Sequence, residues 1–328
     1  MTRRPTLVDV ARLAGTSTAV VSYVVNNGPR PVSPETREKV EQAISQLNYR
    51  RNNLAGALVR GESNLIGLLV PNASNAFFGE LSHEVERAAR ANGLLTLLGN
   101  TGYDRDVERG YSRAFADLNP RALITVATSE PDSDDAGPPR VYVHSAPRST
   151  SWPSIVAADF DGARDAVEHL FAHGYPSIAC ATGPDDDGPA GLRLAGWEAA
   201  VRAHPGGRGS VYRVPFERVD AEAAALDILR SAERPRAVFA TTDEIALAFV
   251  RAARVLNVQL PGELAVVGFD GIPEAVHGST RLTTMVVPIH EIAVRAVEAA
   301  IGEVPEQRAV LEVTLSLGET CGTHEPSA

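Results

Sequence analysis

The sequence predicts a small all-α head over residues 1–49, a linker over residues 50–63, and a larger α/β body over residues 64–328. Charge supports this division, because residues 1–60 hold nine basic and four acidic side chains while the rest of the chain carries a balance of −15. Hydrophobic periodicity supports it too, since capped helical patterns fill the head and strand-like runs alternate with helical runs in the body. A chain of 328 residues is also too long for one simple core.

The head contains three predicted helices. Thr6 caps a first helix over residues 7–14, and Ser17 caps a second over residues 18–25. Ser33 then caps a third helix. The short turn between the first two is typical of a helix-turn-helix, whose second helix places its N-terminal residues at base edges in the major groove. A basic head on an acidic body indicates contact with nucleic acid at one end.

The second helix presents the predicted DNA-reading surface. Its outward residues are Thr18, Ala19, Ser22 and Tyr23. Short hydrogen-bonding side chains such as Ser17, Ser22 and Asn26 suit phosphate oxygens. A plain three-helix bundle with capping serines gives the same pattern, so the motif by itself leaves both interpretations open.

The body alternates predicted strands and helices. Residues 65–70 and 237–240 form apolar runs with the length of buried strands, and residues 78–91 form a helical pattern. This alternation predicts parallel sheets covered on both faces, with four or five strands in each of two lobes. Ligands of such sheets bind beyond the carboxyl ends of the strands. Those ends fall at residues 72–78, 183–193, 241–244 and 270.

The sequence argues against an enzyme. Lys39 is the only lysine and lies in a charged helical stretch, so the chain has neither a GxxxxGK[ST] phosphate loop nor a buried Schiff-base lysine. His290 and Glu291 begin an HExxH pattern, but residue 294 is valine. No GxSxG or GxGxxG pattern occurs. We therefore expect no catalytic residues and no cofactor.

Cysteine and histidine positions favour a reducing compartment without a metal site. Cys180 and Cys321 are too far apart for a CxxC zinc motif, and two cysteines make no disulfide framework. His169 and His173 have helical spacing and could share a metal, but no third ligand is evident, and a helix C-terminus favours histidine in any case. No run approaches the length of a membrane span and no secretory signal is evident, so we expect a cytoplasmic protein with no membrane partner.

Four motifs follow one another in the head. They read TLVDVARLAGTS over residues 6–17, VSYVVNN over 21–27, VSPETR over 32–37 and LNY over 47–49. Together they are similar to the headpiece of the lactose-repressor (galactose-repressor) family of bacterial transcriptional regulators, and the resemblance continues almost to the C-terminus. It implies a homodimeric repressor that binds a pseudo-palindromic operator in double-stranded DNA. It also implies a periplasmic-binding-protein-like core that senses a small molecule.

The resemblance indicates which residues contact DNA. The family usually has arginine where this chain has Tyr23, so a bidentate guanine contact is lost and the operator should differ. Residues 50–63 resemble the family's hinge helix, and Leu58 matches a leucine that enters a central base step of the minor groove. Packing of Leu54 and Leu58 against the core is the alternative. The full set expected at DNA is Thr6, Ser17, Thr18, Ala19, Ser22, Tyr23, Asn26, Arg30, Asn53, Ala55 and Leu58.

The resemblance also implies an effector site between the lobes. The expected residues are Phe77, Phe78, Asp161, Arg193, Phe216, Thr242, Asp243 and Asp270. An arginine, a carboxylate and aromatic faces suit a sugar. Asp159 or Asp161 supplies a second carboxylate, and we favour Asp161. Phe77 as a core residue and Arg193 in a surface ion pair are the alternatives.

The resemblance further divides the body into lobes that the chain crosses near residues 158–162, near Pro288 and near Val313. The N-lobe then takes residues 64–159 and 289–313, and the C-lobe takes 160–288 and 314–328. We expect the N-lobe to dimerise. A cytoplasmic sugar-binding sensor or carrier without DNA function is the rival interpretation, which the intact head opposes.

Overall fold

The computed structural model describes residues 5–26, 30–49, 63–127, 137–147, 150–302 and 307–322. The chain forms two compact units, Met1–Ser63 and Asn64–Ala328. Asn53, Ala55 and Leu58, which the sequence places at DNA, lie outside the described residues, as does the side chain of Asn26.

The first unit contains the three predicted helices. They are α1 (Leu7–Leu13), α2 (Thr18–Asn26) and α3 (Pro34–Gln46). A capping box begins α1, where the amide of Asp9 donates to Thr6 Oγ1 and the amide of Thr6 donates to the Asp9 carboxylate. One valine from each helix, Val10, Val21 and Val40, is fully buried in the centre. The predicted helix-turn-helix is confirmed.

Among the described residues, no single helix is both long and apolar enough to cross a membrane. Leu7–Leu13 and Thr18–Val25 meet that test by length and composition only as a pair, bent by 106° at the break between them. The apolar faces of this pair form the core of the head with α3.

The second unit is an α/β body. Its strands are β1 (Leu65–Val70), β2 (Leu95–Asn100), β3 (Ala122–Thr125), β4 (Arg140–Val143), β5 (Ser154–Ala157), β6 (Ala179–Thr182), β7 (Val211–Arg213), β8 (Ala237–Ala240), β9 (Ala265–Asp270), β10 (Thr283–Val286), β11 (Arg308–Leu311) and β12 (Thr314–Ser316). Its helices are α4 (Ala76–Ala91), α5 (Arg105–Ala116), α6 (Asp159–Ala172), α7 (Gly188–Ala203), α8 (Arg218–Arg230), α9 (Asp243–Val255), α10 (Pro273–His277) and α11 (Ile289–Ala300).

These strands form two six-stranded sheets, one in each lobe. The first has the order β11-β5-β4-β3-β1-β2 and is parallel throughout, with Leu68 beside Ile124 in the register of β1 and β3. The second has the order β12-β10-β9-β8-β6-β7, in which only β12 is antiparallel. The parallel-sheet lobes are confirmed, but the expectation of four or five strands was wrong. Strands such as β4, β5, β11 and β12 have only three or four residues, too few for a clear periodic signal.

The central strands of both sheets are covered on both faces. Leu68 and Ile124 in the first sheet, and Val238 and Val267 in the second, are fully buried. Helices α4 and α11 pack together on the first sheet, and α6 packs with α7 beside the second. Double coverage explains why these strands are apolar runs rather than alternating sequences.

The chain passes between the two sheets three times. It does so at Ala158, between β5 and α6; at Val287 and Pro288, between β10 and α11; and at Glu312 and Val313, between β11 and β12. The resemblance placed these crossings near residues 158–162, Pro288 and Val313. The crossings join the lobes side by side, with a cleft between them.

Candidate functional site

The carboxyl ends of strands from both sheets border one cleft between the lobes. In the first lobe, Pro71, Val126 and His144 follow β1, β3 and β4. In the second, Thr242 follows β8, and Asp270 is the last residue of β9. The cleft has a volume of about 250 Å³, just below the range of about 300–1,000 Å³ that is typical of small-molecule sites.

Arg193, on α7, is the central cation of this cleft and is only 1% exposed. Its Nε donates to Asp159 Oδ1 at 2.8 Å, and its Nη1 donates to Asp270 Oδ1 at 2.8 Å. The same Nη1 donates to the carbonyl oxygen of Thr241 at 2.7 Å. The guanidinium carbon lies 3.8 Å from the centre of the Phe269 ring, which is a cation–π contact. Four protein groups therefore fix the plane of the guanidinium.

The second amino group of Arg193 makes none of these hydrogen bonds. Its Nη2 is buried and has no hydrogen-bond partner among the described residues. A buried donor without an acceptor costs about 1–3 kcal/mol, and more when it is charged. Because Arg193 borders the cleft, an oxygen atom of a ligand there would satisfy this donor.

Asp243 does not border the cleft but stabilises the backbone next to it. Its Oδ2 accepts from the amides of Gly271 at 2.7 Å and Ile272 at 2.9 Å, and its Oδ1 accepts from the Thr284 hydroxyl at 2.6 Å. These bonds hold the turn that follows Asp270. Asp270 itself has φ +127°, a strained backbone conformation for a residue with a side chain.

Two carboxyl groups, Asp159 and Asp270, share this one cation, and the Asp243 carboxyl lies close enough to Asp270 to interact with its charge. Burial raises the pKa of Asp159, and burial raises the pKa of Asp270 to about 6, in both cases against the opposing effect of Arg193. Burial, followed by the neighbouring Asp270 carboxylate, raises the pKa of Asp243 well above its ordinary range. The group therefore binds protons more tightly when folded than when unfolded.

His144 is a cleft residue that sequence analysis missed. It has φ +61°, and its ring centre lies 4.6 Å from that of Phe77 and 5.6 Å from that of Phe78. Burial, together with the positive charge of Arg193, lowers the pKa of His144 well below its ordinary range, so the ring is neutral. Its buried Nδ1 has no hydrogen-bond partner within the described part of the chain. It is a second polar atom that a ligand would satisfy.

Phe216 forms an aromatic wall of the cleft. Its ring stacks on Tyr103 from the other lobe, with centroids 6.2 Å apart and planes at 21°. Gly183 makes room for it, since a Cβ at that position would lie 2.0 Å from the Phe216 ring. Nearby, Asn72 Nδ2 donates to Glu217 Oε1 at 3.4 Å across the lobes. Burial raises the pKa of the Tyr103 phenol, which keeps it protonated.

Only some of the expected effector residues border the cleft. Those that border the cleft are Phe77, Phe78, Arg193, Phe216, Thr242 and Asp270. Arg193 is in a buried ion pair, which rules out the surface alternative. The preference for Asp161 was wrong, because Asp161 is exposed and pairs with Arg164 at 2.8 Å. Because each residue of a helix is rotated by about 100° from the one before it, Asp159 and Asp161 point in nearly opposite directions. Only Asp159 therefore faces Arg193.

The structure describes most of the head residues that the sequence predicts to contact DNA. Ser17, Thr18 and Ala19 are exposed at the start of α2, and Ser22 and Tyr23 are half-buried one turn later. Ser17 Oγ accepts from the amide of Val20 at 3.3 Å and caps the helix. The half-buried Thr6 caps α1, and Arg30 is exposed. Small and uncharged side chains thus occupy the N-terminus of α2.

The structure also brings a third potential metal ligand to the histidine pair on α6. Cys321 Sγ lies 3.3 Å from His169 Nε2 and 4.0 Å from His173 Nε2. This third ligand was not evident in the sequence, because Cys321 lies far from the two histidines along the chain and reaches α6 only after β12.

The family models, two related sequences and a solved structure that match this chain indicate the same kind of protein. A family model described as bacterial regulatory proteins, lacI family, matches residues 6–52, and one for a periplasmic binding protein-like domain matches residues 167–321. The ribose operon repressor of Escherichia coli strain K12 is 33% identical over 312 residues, which cover 92% of this chain and 93% of that protein. The transcriptional repressor PurR of Vibrio atlanticus strain LGP32 is 30% identical over 310 residues, 92% of each chain. A crystal structure of the lac repressor dimer bound to operator and the anti-inducer ONPF has a TM-score of 0.80 at 25% identity, covering 97% of this chain and 99% of that one.

Proposed function

The chain belongs to the lacI family of bacterial regulatory proteins and is a DNA-binding transcriptional repressor, and we propose that a small, sugar-like effector in the inter-lobe cleft controls its affinity for DNA. The observation that carries this proposal is Arg193 Nη2, a buried charged donor at the cleft that has no acceptor in the described part of the protein. The protein would act as a cytoplasmic homodimer on a pseudo-palindromic operator.

The donors and acceptors of the cleft favour a polyhydroxylated ligand. Arg193 offers a donor, the carboxylates of Asp159 and Asp270 beside it are acceptors, and neutral His144 offers a further polar atom. Adjacent hydroxyls of a sugar both donate and accept, so they complement such a set. Phe216 offers an aromatic face for the CH surface of a ring. The Escherichia coli relative is named for ribose, which supports the same class of ligand.

The proposed mechanism has two states of lobe closure with different affinity for operator DNA. Tyr103 and Phe216 stack across the cleft, and Asn72 bonds to Glu217, so these contacts change when the lobes move. An effector shifts this equilibrium only if it binds one state more tightly than the other. The polar groups of the cleft are arranged to hold a ligand, and we propose no enzymatic activity.

The proposed DNA surface is the exposed side of α2. Thr18, Ala19, Ser22 and Tyr23 would face bases, and Ser17 would lie near phosphates. The remaining contacts, which we propose from the resemblance of the sequence to the family, are Thr6, Asn26, Arg30, Asn53, Ala55 and Leu58. Leu58 would act as the minor-groove wedge.

A gel-shift experiment with the DNA upstream of the protein's own gene tests the proposal, combined with a thermal-shift screen of sugars and nucleosides. We expect salt-sensitive DNA binding and a rise in melting temperature with a sugar, since a ligand bound to the folded state stabilises it. A sugar carrier without DNA function would give the thermal shift without the gel shift. Stabilisation by nucleosides alone would contradict the sugar assignment.

A further inference from the structure

A cluster of two histidines and a cysteine lies at the C-terminal end of α6. His169 and His173 are one turn apart, and their rings meet edge to face with centroids 4.7 Å apart. Cys321, five residues after β12, brings its buried thiol against both. None of these side chains borders the inter-lobe cleft.

The three potential donor atoms are spaced like the corners of a metal site. The two Nε2 atoms are 3.3 Å apart, and Cys321 Sγ is 3.3 Å from His169 Nε2 and 4.0 Å from His173 Nε2. Tetrahedral Zn²⁺ has bonds of about 2.0–2.1 Å to nitrogen and about 2.3 Å to sulfur. This geometry places two nitrogen ligands about 3.3 Å apart, and a nitrogen and a sulfur ligand about 3.6 Å apart. Small side-chain adjustments therefore bring all three atoms to bonding distance of one ion.

From this geometry we propose that His169, His173 and Cys321 bind one divalent transition-metal ion, with Zn²⁺ as the first candidate. Two imidazoles and a thiolate are the donors that Zn²⁺ accepts readily, whereas Mg²⁺ and Ca²⁺ require oxygen ligands. The histidines are half-buried and the thiol is buried. The ion would therefore enter from the histidine side.

Burial raises the pKa of the Cys321 thiol, so the thiolate of the proposed site would form when a metal ion binds, with Thr283 beside the sulfur. Thr283 Oγ1 lies 3.1 Å from the sulfur and also accepts from the amide of Gly318 at 2.9 Å. The Thr283 hydroxyl can then donate its own proton to the thiolate. In this way Thr283 would orient the Cys321 ligand without binding the metal itself. Gly322 allows the backbone after Cys321 to run close to the His173 ring, since a Cβ at this position would lie 2.5 Å from that ring. Metal binding releases the thiol proton to solvent.

The proposed ion would join two distant parts of the second lobe. His169 and His173 lie on α6, which begins at the first crossing between the lobes, and Cys321 follows the third crossing and β12. An ion bound there would tie the end of the chain to α6 and stabilise the folded lobe. The sequence also holds His324, which lies outside the described residues, and the site rests on the three described side chains.

The test uses the full chain without an affinity tag, freed of metals with EDTA, and titrated with Co²⁺ and then with Zn²⁺. Co²⁺ reports its ligands through a near-ultraviolet band from thiolate and visible bands from tetrahedral geometry. We expect one Co²⁺ per chain with both signals, displacement by one Zn²⁺, and a higher melting temperature with Zn²⁺. Cys321→Ser should remove the thiolate band and weaken Zn²⁺ binding by more than about 100-fold, because changes even outside the coordination sphere cost 10–100-fold.

His277→Ala is the matched control, because His277 is exposed on α10 and should leave the titration unchanged. Cys180 remains in the serine variant as an internal thiol control. If Cys321→Ser does not fold, His173→Gln at a half-buried position carries the same comparison, and we expect it to lose tight binding. Absence of stoichiometric binding, or a Co²⁺ spectrum that lacks the thiolate band, overturns the proposal and leaves a hydrogen-bonded cluster.

Discussion

Arg193 and Asp270 form a buried ion pair, in which Nη1 donates to Oδ1 at 2.8 Å. The arginine comes from α7 and the aspartate from the end of β9, so the pair joins two elements of the second lobe. Asp159 accepts from the same guanidinium. Arg193 thus stabilises the lobe and keeps one donor available to the cleft, and its loss should affect both properties.

Arg193→Ala should lower the free energy of unfolding of the body by about 3–5 kcal/mol, because it leaves two buried carboxyl groups without their cation. It should also abolish the thermal shift caused by the effector while DNA binding persists below the lower melting temperature. Urea denaturation and the thermal-shift assay measure the two effects. Arg202→Ala, on the exposed side of the same helix, is the control and should change neither. A normal effector response would remove Arg193 from the site.

The raised pKa of Asp270 predicts how stability depends on pH. Its folded pKa of about 6 exceeds its unfolded value of about 3.9, so its protonated form stabilises the fold below about pH 4. That contribution, up to about 3 kcal/mol, is lost as the pH rises to about 6. The raised pKa values of Asp159 and Asp243 act in the same direction.

Urea denaturation between about pH 4 and pH 7 checks this with wild type and Asp270→Asn, since the difference between them isolates Asp270. We expect the stability of wild type relative to the variant to fall as the pH rises through this range. A relative stability that increases with pH would mean that Arg193 holds the folded pKa below the unfolded one.

Gly183→Ala should disturb the aromatic wall. The new Cβ would lie 2.0 Å from the Phe216 ring, so the ring must move, at a cost of about 1–3 kcal/mol in stability. Effector affinity should fall, as measured by titration calorimetry with the ligand found in the screen. Gly110→Ala, in α5 with open space around it, is the control and should be neutral or slightly stabilising. Unchanged affinity in Gly183→Ala would show that Phe216 does not contact the effector.

Leu58→Gly tests the proposed minor-groove wedge. The body should keep its melting temperature and its effector-induced shift, because Leu58 belongs to the linker in the sequence. Operator affinity should decrease, since the variant lacks the apolar group that enters the base step. Fluorescence anisotropy with a labelled operator measures this. If Leu58 instead packs on the core, affinity will hold and the melting temperature will fall.

Much of the fold was predictable because its signals are local. Capping residues such as Thr6 and Ser33 mark the helices of the head, and buried apolar runs mark β1 and β8. The strands of three or four residues, such as β4, β5, β11 and β12, lacked such a signal, which is why the number of strands in each sheet was underestimated.

The residues of the cleft were only partly predictable. Arg193 and Phe216 were expected at the cleft, but Asp159 could not be separated from Asp161 without the rotation of α6. His144 lies at a positive φ after a strand of four residues, and neither feature is visible in the sequence. Cys321 meets the histidines through a long-range packing contact that no local motif encodes.

The central claim is that a ligand beside Arg193 controls DNA affinity, and operator titrations followed by fluorescence anisotropy test it most directly. The titrations use the full chain with and without the effector from the screen, in wild type and in Arg193→Ala. We expect the effector to change the operator Kd of wild type by about 5- to 150-fold and to leave that of the variant unchanged. An operator Kd that is the same with and without effector in wild type, or an equal change in both proteins, would contradict it.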